Sequence, residues 1–301
     1  MRVTFWGVRG SIPCPGQNTV KYGGNTACLE LRFTDNARLV VIDAGSGIRE
    51  LGNQLVVQER VLADLFLTHT HSDHIVGFPF FAPIYLPETV LKVHGPVTYT
   101  EKPIETIIRG QLSYHYFPVR VEELPADITY VDIKEGGYNL GDGIRLDTIY
   151  LNHSLSCLGY RFTHGKKVFC TAYDTEPYHN LFENDPGDGN YDAEMARQGA
   201  QAATESNKRM ESFFQGADLV VYDAQYTQKE YENGKVGWGH SSMETAIATA
   251  ERANVKRLAL FHHDPDRTDA EIDALADTYA NRSTQNGMEI FFAREGQQIN
   301  L

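Results

Sequence analysis

The stretch Leu62-Ala63-Asp64-Leu65-Phe66-Leu67-Thr68-His69-Thr70-His71-Ser72-Asp73-His74 decides how the rest of the chain is read. Residues Leu62–Thr68 form a short apolar run of strand length, which predicts a buried β-strand. The residues that follow place three imidazoles and one carboxylate within six positions at the end of that strand. Polar groups where a buried strand ends need partners. Neutral imidazoles and a carboxylate are donors that a borderline divalent cation such as zinc accepts. Four donors this close in sequence do not easily converge on one ion. Two adjacent ions are the natural reading.

Upstream of this strand, Arg2–Val8, Ala27–Thr34 and Arg38–Asp43 are β-rich and separated by Gly, Asn and Asp turn signals. Gly45-Ser46-Gly47 opens a helical pattern through Gln58. Downstream, Lys92–Val97, Asp127–Ile133, Ile144–Leu151 and Cys157–Thr163 continue the strands, and Lys166–Thr171 follows a hairpin turn at His164-Gly165. The second half alternates: helix Lys208–Gln215, strand Asp218–Asp223, helix Ser242–Ala253, strand Arg257–Phe261, helix Asp269–Arg282 and strand Met288–Ala293. Meandering strands followed by α/β alternation predict sheets with helices on their outer faces. Glu183–Glu194 holds five acids and no base, and reads as an acidic surface loop extending to about residue 207. Tyr99–Leu124 is aromatic and reads either as core or as the wall of a substrate pocket.

The 301 residues fit one large layered domain, 1–301, although a length prior alone would allow two. With 27 basic against 40 acidic residues the formal charge is −13. A chain that grips long nucleic acid by its phosphates usually carries a basic face, so composition favours small substrates. Four cysteines without a CxxC pair argue against a disulfide scaffold and a cysteine-built zinc site. No N-terminal stretch resembles a signal peptide, and the weakly polar run 75–86 is too short to span a bilayer and contains Pro79 and Pro83. A cytoplasmic protein without membrane contact is the expectation.

The His-x-His-x-Asp-His pattern of residues 69–74 resembles that of the metallo-β-lactamase superfamily. The later motifs of that family follow in order: His153 in Leu151-Asn152-His153-Ser154, Asp174 in Ala172-Tyr173-Asp174-Thr175, and His262-His263 after Leu258–Phe261. The resemblance implies a mixed α/β fold, a four-layer αββα sandwich. It also implies two divalent metal ions, with zinc first and manganese, iron or cobalt acceptable to the same donors. His69, His71 and His153 would hold one ion, Asp73, His74 and His262 the other, and Asp174 would bridge them. His262 falls where the family's terminal ligand does, leaving His263 as its neighbour. Redox members of the superfamily carry Glu at the position of His71, so hydrolysis is implied.

Trp238-Gly239-His240-Ser241-Ser242 and Tyr222-Asp223-Ala224-Gln225 resemble the His-Ser-Thr and Glu-Ala-Thr motifs of the ribonuclease Z branch of phosphodiesterases. The departures are Asp223 for Glu, Gln225 for Thr and Ser242 for Thr. By this resemblance His240 is the general acid and Asp223 its orienting carboxylate, with Asp73 completing the catalytic set. The plainer alternative has His240-Ser241 capping a helix and Asp223 ending a strand. The acidic balance and the lack of a basic, Gly- and Pro-rich arm favour a small anionic phosphodiester over long nucleic acid. A 3′,5′-cyclic nucleotide such as cyclic AMP or GMP is the expected substrate. Tyr114, Tyr116 or Phe117 would stack on its base, and Asn25 or Arg9 would touch its phosphate. Carboxylic-ester, lactone or thioester hydrolysis on the same ions, and RNA processing of ribonuclease Z type, stay open. Similar proteins are commonly dimers, so a homodimer is allowed.

Overall fold

The computed structural model describes residues 1–33, 38–97, 102–280 and 287–301. The expectations for Thr34, Tyr99 and residues 281–282 lie outside the described residues. Two seven-stranded sheets form among these residues. The first contains β1 (Arg2–Gly7), β2 (Cys28–Arg32), β3 (Leu39–Ile42), β4 (Leu62–Phe66), β5 (Val90–Pro96) and β6 (Asp127–Ile133) in that spatial order. The second contains β7 (Gly136–Gly141), β8 (Ile144–Tyr150), β9 (Leu158–His164), β10 (Lys167–Ala172), β11 (Leu219–Asp223), β12 (Arg257–Phe261) and β13 (Glu289–Phe292), again consecutive in space. The last strand, β14 (Gln298–Asn300), crosses back to pair with β1.

Each sheet is antiparallel where the chain meanders and parallel where helices intervene, so β3 to β6 run parallel, as do β10 to β13. Both faces of the central strands are apolar, and period-two alternation deals their side chains to two different cores. Val40 and Ile42 join Phe5, Phe66, Phe162, Val221 and Phe261 between the sheets. Leu39 and Val41 point the other way, onto α1 (Ile48–Leu55) and onto the layer containing Ile104 and Ile108. On the far face of the second sheet, Val220 and Tyr222 pack among residues of the helices that cover it. The result is the αββα sandwich of the metallo-β-lactamase fold.

The remaining helices are α2 (Ser72–Ile75), α3 (Ile104–Gln111), α4 (Ala193–Phe214), α5 (Gln228–Glu232), α6 (Met243–Arg252) and α7 (Asp269–Ala280). One expectation is corrected here. The acidic loop stops at Asp192 rather than near residue 207, because Ala193–Phe214 is a 22-residue helix. Asp192 caps it, accepting hydrogen bonds from the amides of Glu194 and Met195. Its body is rich in Ala, Gln, Glu and Arg, which favour helix without requiring burial. Only Gly199, Met210 and Phe214 are buried, so the apolar periodicity is weak over its first four turns. Strands β7 and β14 were also unpredicted; one opens on two glycines, the other has three residues, and both lie at sheet edges. Among the described residues no helix is long and apolar enough to cross a membrane.

Candidate metal centre

The carboxyl ends of strands in both sheets deliver the chemistry to one edge of the sandwich. Asp43 follows β3, His69 follows β4, His153 follows β8, Asp174 follows β10, Asp223 ends β11 and His262 follows β12. Three of them sit in the left-handed region that non-glycine residues avoid: Asp43 at φ 61°, Asp174 at φ 41° and His262 at φ 62°. Such strain costs on the order of 1 kcal/mol or more per residue and persists where the surroundings over-determine it. Here it turns three strand ends sharply toward a common point.

Three overlapping groups of donors form there, the third made of Asp174, Asp223, His240 and His262. In the first, His69, His71, His153 and Asp174 present ligand atoms all within 4.8 Å of one another. Both His69 Nε2 and His153 Nε2 lie 3.0 Å from His71 Nδ1. In the second, Asp73, His74, Asp174 and His262 converge to the same degree. His74 Nε2 and His262 Nε2 each lie 3.3 Å from Asp73 Oδ2 and 3.2 Å from Asp174 Oδ1. Corners spaced in this way match donors bound at about 2.0–2.1 Å to one tetrahedral ion. Asp174 belongs to both of these groups, one oxygen turned to each.

A surrounding layer fixes which ring nitrogen faces inward. His74 Nδ1 donates to Asp43 Oδ2 at 2.7 Å, and Asp43 also accepts from the amide and hydroxyl of Thr68. His69 Nδ1 donates to Thr68 Oγ1 at 3.1 Å, and His153 Nδ1 donates to the Gly239 carbonyl at 3.0 Å. Each bond leaves an Nε2 lone pair aimed at the donor groups, the arrangement in which outer-shell acceptors set a ligand's tautomer. The Ser11 amide donates to Asp73 Oδ2 at 2.7 Å. Gly10 allows the close approach of His262, since a Cβ there would meet its ring at 2.4 Å.

The electrostatics suit cations. Burial drives the His69, His71 and His153 imidazoles below their ordinary value, so they stand neutral, as ligands must. His74 goes the other way: burial opposes its charge, but Asp174, Asp73 and Asp43 outweigh that and push it well up. Burial also opposes ionisation of Asp73 and Asp174, and the facing histidines hold both carboxyls well below the usual range. His74 Nε2 and Asp174 Oδ1 are buried without a hydrogen-bond partner among the described residues. Neutral imidazoles in the first group, and orphaned ligand atoms and crowded carboxylates in the first two, fit divalent cations.

His240 borders these two groups. Its ring stacks on His262 at 4.9 Å between centroids and lies 5.6 Å from that of His153. Its Nδ1 donates to Asp223 Oδ2 at 2.9 Å, and Asp223 is fully buried. Capping of α6 falls to Ser242, whose hydroxyl accepts from the Thr245 amide, so His240 is not needed for that.

Several of the residues expected to touch substrate have partners within the protein. Both ends of the Asn25 amide are engaged, with Glu295 and with Ser46. Arg9 is fully buried, bonding the carbonyls of Gly23, Asp264 and Arg267. Tyr114 is exposed, held by Glu123 and by Arg120 over its ring. Tyr116 and Phe117 line an apolar groove with Phe80 and with Ile75 and Val76, which directly follow His74. His263 donates Nε2–H to the Ala293 carbonyl, and burial pushes its pKa down to about 3. Two residues went unnoticed in the sequence. Asp43 is a carboxylate ending a buried strand, the same signal that marked His69. Glu176 is buried and accepts from the Tyr231 hydroxyl and from the amides of Gly237 and Gly239. Its three donors come from α5 and the loop after it, more than fifty residues away, so no local pattern reveals it.

Residues 22–189 match the family described as the metallo-beta-lactamase superfamily. The chain belongs to that superfamily. It is similar to the ribonuclease Z of Thermococcus sibiricus, 23% identical, with 88% of this chain and 87% of that protein covered. Its fold is similar to that of a diphosphatase from the PhnP family, with TM-score 0.65, 16% identity and coverage of 100% of this chain and 97% of that one. It is also similar to human tRNase Z, short form, with TM-score 0.58, 20% identity and coverage of 100% and 99%. Like other hydrolases of the superfamily, the chain is a metal-dependent hydrolase.

Proposed function

We propose that the chain is a phosphodiesterase working with two divalent cations, zinc first among them, and that it opens a 3′,5′-cyclic nucleotide to the 5′-nucleotide. His69, His71 and His153 would hold one cation, Asp73, His74 and His262 the other, and Asp174 would join them. The observation that carries the reading is the His240–Asp223 pair, a proton donor held against both ligand groups. Cations bound in such a pair of sites supply a nucleophilic water and offset charge on phosphoryl oxygens. His240 then delivers the proton at Nε2 to the departing ribose oxygen, while Asp223 holds the opposite ring nitrogen and keeps the imidazole charged. An alkoxide leaves poorly without a proton, and a positioned acid contributes typically about 10²–10⁴-fold.

The test is turnover of cyclic AMP and of bis(p-nitrophenyl) phosphate by metal-replete protein, set beside lactone and thioester substrates. His240→Ala should lower kcat on the cyclic nucleotide by about 10²–10⁴-fold with metal content unchanged. Absence of phosphodiester turnover in replete wild type would sink the reading. A second reading, RNA processing of ribonuclease Z type, is favoured by the similarity to that enzyme along 88% of the chain. The charge of −13 weighs on the other side. Cleavage of precursor tRNA at physiological salt would decide for it.

A further inference from the structure

The loop that presents His240 carries an aromatic ring with no packing role. Trp238 is 58% exposed, two residues before His240 and next to Gly239, whose carbonyl accepts from His153. A large apolar side chain left in water beside a site built of polar groups is a place to look for a ligand. Its setting is ordered. Glu176 fastens both flanking glycines, Gly237 and Gly239, as well as Tyr231 at the loop's start. Gly239 lies at φ 81°, and a Cβ there would come within 2.4 Å of His153 Nδ1, so only glycine lets the loop pack this close to the centre.

Lys235 completes the arrangement. Its ammonium sits 3.7 Å from the centroid of the Trp238 ring and 5.5 Å from that of Tyr226. These cation–π contacts are its only side-chain interactions among the described residues, with no carboxylate beside it. In a chain of net charge −13, a lysine held against an indole and free of an acidic partner offers positive charge to an arriving anion. The ammonium covers one side of the indole, while more than half of the ring's surface stays open.

We propose that the exposed face of Trp238, with Lys235 fixed against it, is the surface on which the base of the nucleotide substrate stacks. The proposal rests on the phosphodiesterase reading and names the substrate class of that site: phosphodiesters that carry a heteroaromatic base. Stacking tolerates every base because each has a π-face, so the subsite selects nucleosides over simple alkyl groups without choosing strongly among bases. Trp238 lies two residues from His240 and shares Lys235 with Tyr226, whose ring packs 6.2 Å from that of His240.

Two tryptophans, Trp6 and Trp238, make the test direct. Metal-replete Trp6→Phe protein, in which Trp238 is the sole indole, is titrated with adenosine 5′-monophosphate and its fluorescence followed under excitation selective for tryptophan. Saturable quenching is expected, and Trp238→Ala should abolish it. Trp238→Ala should also raise KM for cyclic AMP about tenfold, with a smaller change in kcat. Trp238→Phe, which keeps a ring, should hold KM near wild type and serves as the check on folding. Unquenched Trp238 emission, or an unchanged KM in Trp238→Ala, would overturn the proposal even if phosphodiesters are turned over. If wild type hydrolyses no phosphodiester, the phosphodiesterase reading falls, and the titration still decides whether Trp238 stacks on a base.

Discussion

His240 keeps a proton at neutral pH that an ordinary imidazole would mostly have lost. Burial works against its charge, yet the Asp223 carboxylate outweighs that and lifts its pKa to about 9. The donor is the protonated form, so kcat should be full at lower pH and fall as pH rises through the His240 value. Bound cations repel an imidazolium and would draw that limb below about 9. Asp223→Asn removes the main influence holding the proton, so the alkaline limb of kcat should move to lower pH. Matched pH–rate profiles read this directly, and an unmoved limb would remove His240 from the acid role. Asp43 acts one step further out, on His74. Asp43→Asn should weaken metal binding roughly 10–100-fold, as losses of such outer partners do, read by competition against a chromogenic chelator.

Elements carry these residues with unequal freedom. The ligand cluster rides on α2, a single turn whose cap is His71, close against β4. By contrast, His240 rides on a long loop between α5 and α6, and Glu176 holds that loop down. Glu176→Gln turns one acceptor oxygen into a donor facing Tyr231 or a glycine amide, at about 1–3 kcal/mol for a buried donor left unpaired. The expected result is kcat lowered at least tenfold, with faster amide exchange at Gly237 and Gly239 and an unchanged exchange pattern in β4. Slow exchange at both glycines in the variant would show that the loop holds without the carboxylate. The helix α4 shows the opposite relation between pattern and structure. It is legible through its cap at Asp192 and its composition, and illegible through periodicity, because it buries only three side chains.

At the scale of the whole molecule, charge and metal dominate. A chain of −13 repels long polyanions, so hydrolysis of a small phosphodiester should depend weakly on salt. Productive cleavage of tRNA would instead fall steeply between about 50 and 200 mM salt. Comparing the two slopes separates the two readings even where both activities are detectable. Chelator treatment should abolish hydrolysis and lower Tm, since cations bind the folded donor groups. A cation at 100 times its Kd adds about 2.7 kcal/mol per site. A thermal scan of stripped and reconstituted protein checks it, and equal Tm values would argue against both groups as metal sites.

By itself the sequence determined most of the strands, the layered architecture and the candidate ligand residues, because these are written locally. Alternation assigns faces, apolar runs assign burial, and a polar cluster ending a buried strand declares a site. His69, His71, Asp73 and His74 stand within six residues, and the family pattern extends them to His153, Asp174 and His262. Only the tertiary structure decided that Asp43 orients His74, that Glu176 anchors the His240 loop, and that Asn25 and Arg9 are engaged within the protein. It also set Lys235 against the Trp238 ring in the loop that presents His240. Each of these is a contact between groups far apart in sequence, fixed by how two sheets and their connecting loops meet. No residue's own neighbourhood carries that information.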